Sequence, residues 1–449
     1  MNQQQSSFLD TFKLYIDKRI IIIFLLGISS GFPWVIIGSA MSAWLKESDL
    51  TRSAIGFFGT ITAVYAVNFL WAPLLDRVRI PLLGRLGQRR SWIMLMQLFL
   101  LMGVVAISFT DPKTGIIWTS LIALTIAIAS ATQDVAIDAY RIESISPEDQ
   151  KLIPIGSAMA TSGWWTGYSL PGALAFILAD FDGWNWSDVY RVMALFLVGL
   201  ISIIFFIKEP NTSLFENQKK AELQYGKGTK AWLLVTIVEP FREFFSRNGV
   251  KITLLILSFI FLFKIGEAFL GRMSIVFYKE VGFTNTEIGT YSKLIGWWVV
   301  IVFSIIGGIV NSHFGIIKGL FIGGIAMAAS NLMFAWIAVV GPDTNLFLAT
   351  VIVDGFTGAF ATVTFVSFLS YLTSRSFTAT QYALMASLGN LARTTLSSFS
   401  GVMVDKLDGN WSLFFIITAI MVIPSLLMLL VISKHIKVVM NNNGNNTDN

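Results

Sequence analysis

The sequence predicts an all-α membrane protein whose twelve spanning helices form two halves of six. Three observations carry that expectation. Of the 449 residues, 55% are hydrophobic and only 13% charged, against roughly 25% charged in ordinary soluble domains, and mean hydropathy is +0.69. Apolar runs of about twenty residues recur along the whole length, enough at 1.5 Å each to cross a ~30 Å hydrocarbon core. Runs such as "LILSFIFLF" and "SLLMLLVI" do not alternate apolar with polar residues, as membrane β-strands would. A backbone that must pair all its polar groups within lipid is then helical.

Taken in order, the first half, 20–207, holds apolar runs at 20–45, 53–75, 91–109, 115–140, 152–178 and 189–207. The second half, 251–432, holds runs at 251–278, 286–310, 316–339, 345–372, 381–403 and 411–432. Between them the linker 208–250 contains the polar "NQKKAELQYGKGTK" and then the amphipathic "LLVTIVEPFREFFSRNG". Residues 1–19 read as a polar N-terminus without the features of a cleaved signal peptide, and 433–449, ending "NNNGNNTDN", as a disordered tail. With the N-terminus inside, 22 of the 32 Lys and Arg fall on the cytoplasmic side, 6 on the other and 4 within spans. The positive-inside bias therefore places both termini in the cytoplasm.

Composition also excludes several function classes. The absence of cysteine rules out disulfides and thiolate metal sites, and the two histidines, His313 and His435, stand far apart in polar flanks, so neither a metal nor another cofactor is expected. No GxxxxGK[ST] loop is present, which leaves an ATP-driven pump unsupported and favours coupling to an ion gradient. The net charge of +5 follows from the loop bias, not from nucleic-acid binding. The expected partners are the bilayer, protons and an anionic solute, with the chain as a monomer.

Two six-span halves joined by a long cytoplasmic loop is the plan of the major facilitator superfamily, whose substrate site lies at mid-membrane between the halves. The loop between spans two and three, "LLDRVRIPLLGRLGQRR", resembles that superfamily's loop of Gly, Asp and clustered Arg; the second half's "GGIVNSHFGIIKG" is a degenerate counterpart. Asp76 beside Arg77 suits a carboxylate that pairs across the cytoplasmic gate in one conformation and loses its partner in the other. A plain positive-inside anchor is the competing reading of these arginines.

Ionisable residues at a helix centre cost about 2.5 to 3.5 kcal/mol on insertion scales, so each one inside a span is a candidate site. In "SATQDVAIDAYRIE" the residues Asp134, Asp138 and Arg141 fall within about 60° of one helix face, in the cytoplasmic third of span four. They read as a gate and proton relay, with Arg141 exchanging partners between Asp138 and another carboxylate such as Asp76; a structural ion pair is the alternative. In the second half Lys264 and Glu267 are neighbours in span seven, joined by Lys293, Asp354 and Arg393. With Arg272, four span cations face two carboxylates, an excess that points to an anionic ligand because an uncompensated buried charge is strongly destabilising. Any of these carboxylates, Glu267 included, could carry a proton, since burial raises a carboxyl pKa.

Aromatic pairs, Trp164–Trp165 followed by Tyr168 in span five and Trp297–Trp298 in span eight, offer flat faces to sugar rings; lipid-facing or packing tryptophans are the alternative. "GISSGFP", with Ser29 and Ser30, "YSLPG" and "DGFTGAF" place helix breakers and hydroxyls where opened helices present backbone groups to a substrate. Tyr65 and Asn68 in span two complete the candidate lining. Gly27 and Gly31 also make a close-packing spacing.

Five motifs in order, "LLGISSGFP", "FLWAPLLDR", "SATQDVAIDAYR", "FKIGEAF" and "SFTATQYALMASL", resemble the AmpG family of muropeptide permeases, over about residues 14 to 432. The resemblance implies a bacterial inner-membrane facilitator that imports N-acetylglucosaminyl-anhydromuramyl peptides from the periplasm for peptidoglycan recycling, with protons. The chain departs from the family pattern at Asn68, where a basic residue is common, in "SGWWTGY", which lacks an Arg, and at Asp354–Gly355, where Glu-Asn is usual. These departures keep open a divergent paralogue for another anionic cargo: a peptide, a sugar acid or an acetyl-CoA-like molecule. A membrane enzyme on lipid-linked precursors and a muropeptide sensor are the readings from other classes.

Overall fold

The computed structural model describes residues 8–50, 58, 60–146, 148–210, 232, 234–284 and 287–433. Most of the linker, the start of span two and the C-terminal tail lie outside these. Span one is Lys18–Gly31, continued through the π-helical turn Val35–Ser39 into Ala40–Glu47. Spans three to six are Gln88–Ile107, Ile116–Glu143, Leu152–Ala179 and Trp186–Phe206. The linker helix Glu239–Asn248 leads into span seven, Val250–Leu262 with Ile265–Val281. Span eight is Ile288–Ile295 with Gly296–Phe314; spans nine and ten are Ile316–Val340 and Thr344–Leu372. Span eleven is Thr378–Ser397 and span twelve runs from Trp411 to Ser433.

Nine of the described helices are long and apolar enough to cross a membrane. Spans two, five and eleven complete the twelve. Span two is broken into short 3-10 and α turns, Thr60–Ala63, Val64–Val67, Asn68–Leu70 and Ala72–Arg77. Polar side chains start the helices on the loop sides: Asp17 accepts from the Arg19 N–H, Asn185 and Asp188 form a reciprocal box, and Asp343 and Asn410 accept from Leu346 and Leu413. Each satisfies a backbone donor that the helix itself cannot.

Two of the three expected helix openings are not present. Span five runs unbroken through Pro171 and span ten through Gly355 and Gly358, since neighbouring groups in a membrane bundle can take up what a proline frees. Span one does break where "GISSGFP" lies, with a turn at Phe32 before its π-helical segment, and span seven breaks at Phe263–Lys264, the latter with no Gly or Pro at the spot. The glycines act in packing instead. Gly27 and Gly31 of span one face Gly163 and Trp164 of span five, and Gly163 and Gly167 face the carbonyls of Phe24 and Ile28, so closely that a Cβ at any of the four would strike backbone. The two backbones therefore cross in contact, as small residues four apart permit.

Among the described residues the halves share cores at one end only. Ala379 and Ala383 of span eleven pack with Leu75, Val135 and Ala139 of the first half, Ile142 packs with Phe365 and Tyr382, and Tyr15, Ile20 and Ile155 pack with Val363. All these lie at the end where the linker helix sits, here called the linker end. The opposite ends have separate cores, one built from residues 32–200 and the other from 265–421.

Candidate functional site

At the linker end the halves are joined by a buried polar lock. The Asp76 carboxylate, closing span two, accepts from the backbone N–H groups of Ala379 and Thr380 at 3.0 and 2.9 Å and from the Thr380 hydroxyl at 2.7 Å. It thereby caps the N-terminus of span eleven in the other half, where partial positive charge gathers. Its guanidinium partner is Arg89, at 2.7 Å. Arg89 is fully buried, also grips Glu143 at 2.6 Å and donates to the Leu75 carbonyl at 2.8 Å. Three fixed partners let such a charge stay buried. Glu209 accepts from the N–H groups of Arg89 and Arg90 at 2.7 and 3.1 Å, and burial pushes its carboxyl above the usual range.

Further bonds cross the same seam. Arg375, after span ten, donates to the carbonyls of Glu143 and Ile145. Tyr15 donates to the Ile305 carbonyl at 2.7 Å and Ser312 to that of Lys151 at 3.0 Å. The linker helix straps the lock from outside: Gln381 donates to the Pro240 carbonyl at 3.0 Å and to Glu243 at 2.5 Å, and Arg247 donates to the Leu372 carbonyl.

The stripe on span four divides its work. Arg141 does not reach Asp76. It pairs with Asp138 at 2.9 Å, donates to Ser157 at 3.2 Å and to Ser370 of the other half at 2.9 Å, and lies over the Tyr382 ring at 5.2 Å. In this conformation Asp76 is taken up by Arg89 and the end of span eleven. Asp134, one turn further from the linker end, accepts from Ser30 at 2.6 Å. Gln133 donates to the Ser29 carbonyl at 2.8 Å and Tyr65 donates to Ser130 at 2.7 Å. Asn68 accepts from Ser387 of span eleven at 2.7 Å. Arg77 remains half-buried at the end of span two.

Aromatic side chains rise above this layer. Trp164 stacks on Tyr168 at 5.5 Å and meets Trp165 edge-on at 5.3 Å; Trp34 packs on Tyr65 at 4.6 Å and on Trp164 at 6.1 Å. Trp297 and Trp298 contact one another at 4.6 Å, and no ring contact joins them to the span-five pair among the described residues. Spans five and eight meet lower down, where Gly308 abuts Pro154 and Ala158.

In the second half Lys264, at the break in span seven, pairs with Glu267 at 2.9 Å and donates to Thr362 at 2.7 Å. Asp354 accepts from Ser330 at 3.0 Å, and Thr357 donates to Ser330 at 3.1 Å. Arg393 and Arg272 are exposed, so these two are not among the buried charges that the count along the spans assumed. The Lys293 side chain lies outside the described residues. Arg89, Glu143, Trp34, Ser330 and Gln381 were not singled out from the sequence. Only the density of arginines in 85–90 could have pointed to Arg89.

Two halves of six spans, joined at one end and separate at the other, have the major facilitator superfamily fold. The proton:xylose symporter XylE matches with a TM-score of 0.65 at 15% identity, covering 94% of this chain and 96% of that one. The human organic anion transporter MFSD10 gives 0.65 at 14%, covering 91% and 98%. In sequence the chain is 34% identical over 428 residues to a Rickettsia felis transporter named AmpG 4, covering 95% of this chain and 99% of that protein. It is 30% identical over 421 residues to the anhydromuropeptide permease of Escherichia coli K12, covering 93% and 80%. The chain belongs to the AmpG family of transporters and is not an enzyme. No protein-family profile matches it.

Proposed function

We propose that the protein imports anhydromuropeptides across the bacterial inner membrane into the cytoplasm, by alternating access driven by protons. The name of the Escherichia coli relative supplies the cargo class. The positive-inside distribution of Lys and Arg makes the linker end cytoplasmic, with both termini on that side. The observation that carries the mechanism is the Asp76 cap on span eleven: it joins two halves through groups that solvent would satisfy equally well once separated, which suits a bistable gate. With the linker end closed, access to the cargo site is from the periplasm in this reading.

The aromatic cluster around Trp164 suits pyranose rings, and Lys264 suits a carboxylate of the stem peptide. Asp134 and Asp138 are the proton carriers in this reading, because they lie between the aromatic cluster and the lock. Uptake of labelled anhydromuropeptide by proteoliposomes, with and without an inward pH gradient, tests the proposal. Gradient-stimulated uptake supports it, and no uptake under either condition removes the muropeptide assignment. Counterflow across muropeptides, free peptides, disaccharide and acetyl-CoA separates this cargo from the other anionic ones left open by Asn68 and Asp354.

A further inference from the structure

Spans one and six diverge on the lipid-facing surface of the first half. Span six packs on spans three and five, and between it and the start of span one lies a groove of about 490 Å³. Ile21 and Leu25 form one wall, Ile203 and Phe206 the other, with Lys18 and Ile207 at the linker-end mouth. The floor is solid: Ile22 and Ile203 pack on the core that contains Leu26 and Ile204. From Lys18 to Leu25 the groove runs roughly 10 Å along the helix, the length of part of one acyl chain.

Its mouth is cationic. Lys18 lines it and Lys208 directly follows the lining Ile207; both are exposed, and neither is in an ion pair among the described residues. The acidic residues next to them are already engaged. Asp17 pairs with Arg19 at 2.9 Å, and Glu209 turns to the N–H groups of Arg89 and Arg90. An apolar cleft capped by basic groups at the membrane surface is complementary to a lipid with a negatively charged headgroup.

We infer that this groove binds an anionic phospholipid, one acyl chain lying between spans one and six and the phosphate held by Lys18 and Lys208. The full-length protein in a neutral detergent is titrated with phosphatidylglycerol and, separately, with phosphatidylcholine of identical chains. Lipid retention is read by native mass spectrometry and stabilisation by thermal unfolding. Selective retention of phosphatidylglycerol and a higher unfolding temperature with it are expected. The double variant Lys18→Gln, Lys208→Gln should weaken that retention roughly 10- to 30-fold, at about 1 kcal/mol per lysine. Ile21→Trp should abolish it by filling the cleft. Equal retention of the two lipids by the unaltered protein, or undiminished phosphatidylglycerol retention in the double variant or in Ile21→Trp, overturns the inference and leaves ordinary annular lipid.

Discussion

The Asp76 carboxylate accepts a hydrogen bond from the Thr380 N–H at 2.9 Å, across 304 positions of sequence and across the boundary between the halves. The charge matters as much as the bond, because it meets both Arg89 and the N-terminal end of span eleven. Asp76→Asn keeps the shape and removes the charge. A loss of about 2 kcal/mol, within the range for bonds to charged groups, is expected to open the linker end roughly 30-fold more often. The chain has no cysteine, so Lys151→Cys with Ser312→Cys forms a unique reporter where Ser312 meets the Lys151 carbonyl. Cross-linking should slow markedly in the Asp76→Asn background; an unchanged rate would exclude a gating role for this carboxylate.

Arg89 sits one step deeper in the same lock. Because it is fully buried between Asp76 and Glu143, Arg89→Gln strips the counter-charge from the buried Glu143 and leaves Asp76 only its donors on span eleven, at a cost of about 3 to 5 kcal/mol. Yield and monodispersity in detergent should collapse. Arg89→Lys keeps the charge but not the fork that reaches both partners, so its unfolding temperature should fall between the two. Wild-type behaviour of Arg89→Gln would show the network to be dispensable.

The crossing of spans one and five makes a sharper structural prediction. At Gly163 an added side chain meets the Phe24 carbonyl and the Gly27 backbone, whereas at Gly199 nothing lies within 4 Å. Gly163→Leu should therefore abolish the folded, monodisperse protein, and Gly199→Leu should leave it unchanged, as read by size exclusion of the detergent-solubilised chain. Equal yields from both variants would mean that the close approach does not hold the helices.

These cases mark what the residue order reveals. The number of spans, their helical form and the Gly27–Gly31 contact are readable because lipid enforces pairing of every backbone group within a span and small residues four apart signal close approach. The partner of Asp76 is not readable, since it lies 303 or 304 residues away and consists partly of backbone N–H groups that every residue possesses. Arg89 looks like any loop arginine until burial singles it out. The break at Lys264 has no Gly or Pro to announce it. Arg272 and Arg393 lie inside apolar runs yet are exposed, because a count of charges along the chain does not distinguish a helix's faces.

Asp138 supplies the functional counterpart. It pairs with Arg141, whose other hand holds Ser370 of the second half, so its charge is tied to whether the seam is closed. Asp138→Asn should abolish gradient-driven net uptake while leaving cargo binding within about threefold of wild type, a coupling smaller than the ~1.4 kcal/mol of a tenfold change. Binding by calorimetry and uptake by proteoliposomes, measured on the same preparation, decide the point. Parallel loss of both would move Asp138 from the gate to the cargo site.

Lys264 poses the converse question, whether its charge serves the fold or the cargo. Its contacts with Glu267 and Thr362 fit a self-contained pair, and its place at the break in span seven fits a cation presented to the cavity. Lys264→Gln alone does not separate the two, because it leaves Glu267 without a counter-charge. The neutral double variant Lys264→Gln, Glu267→Gln does. If the pair is structural, removing both charges restores transport, since an unpaired carboxylate is the main cost of the single change. If Lys264 binds an anionic cargo, the double variant stays impaired, with half-saturation raised roughly 10- to 100-fold for the loss of one charge-assisted bond of about 1.5 to 3 kcal/mol, and neutral disaccharide binding is unaffected. The cargo assignment predicts the second outcome, and recovery of muropeptide transport by the double variant would refute it.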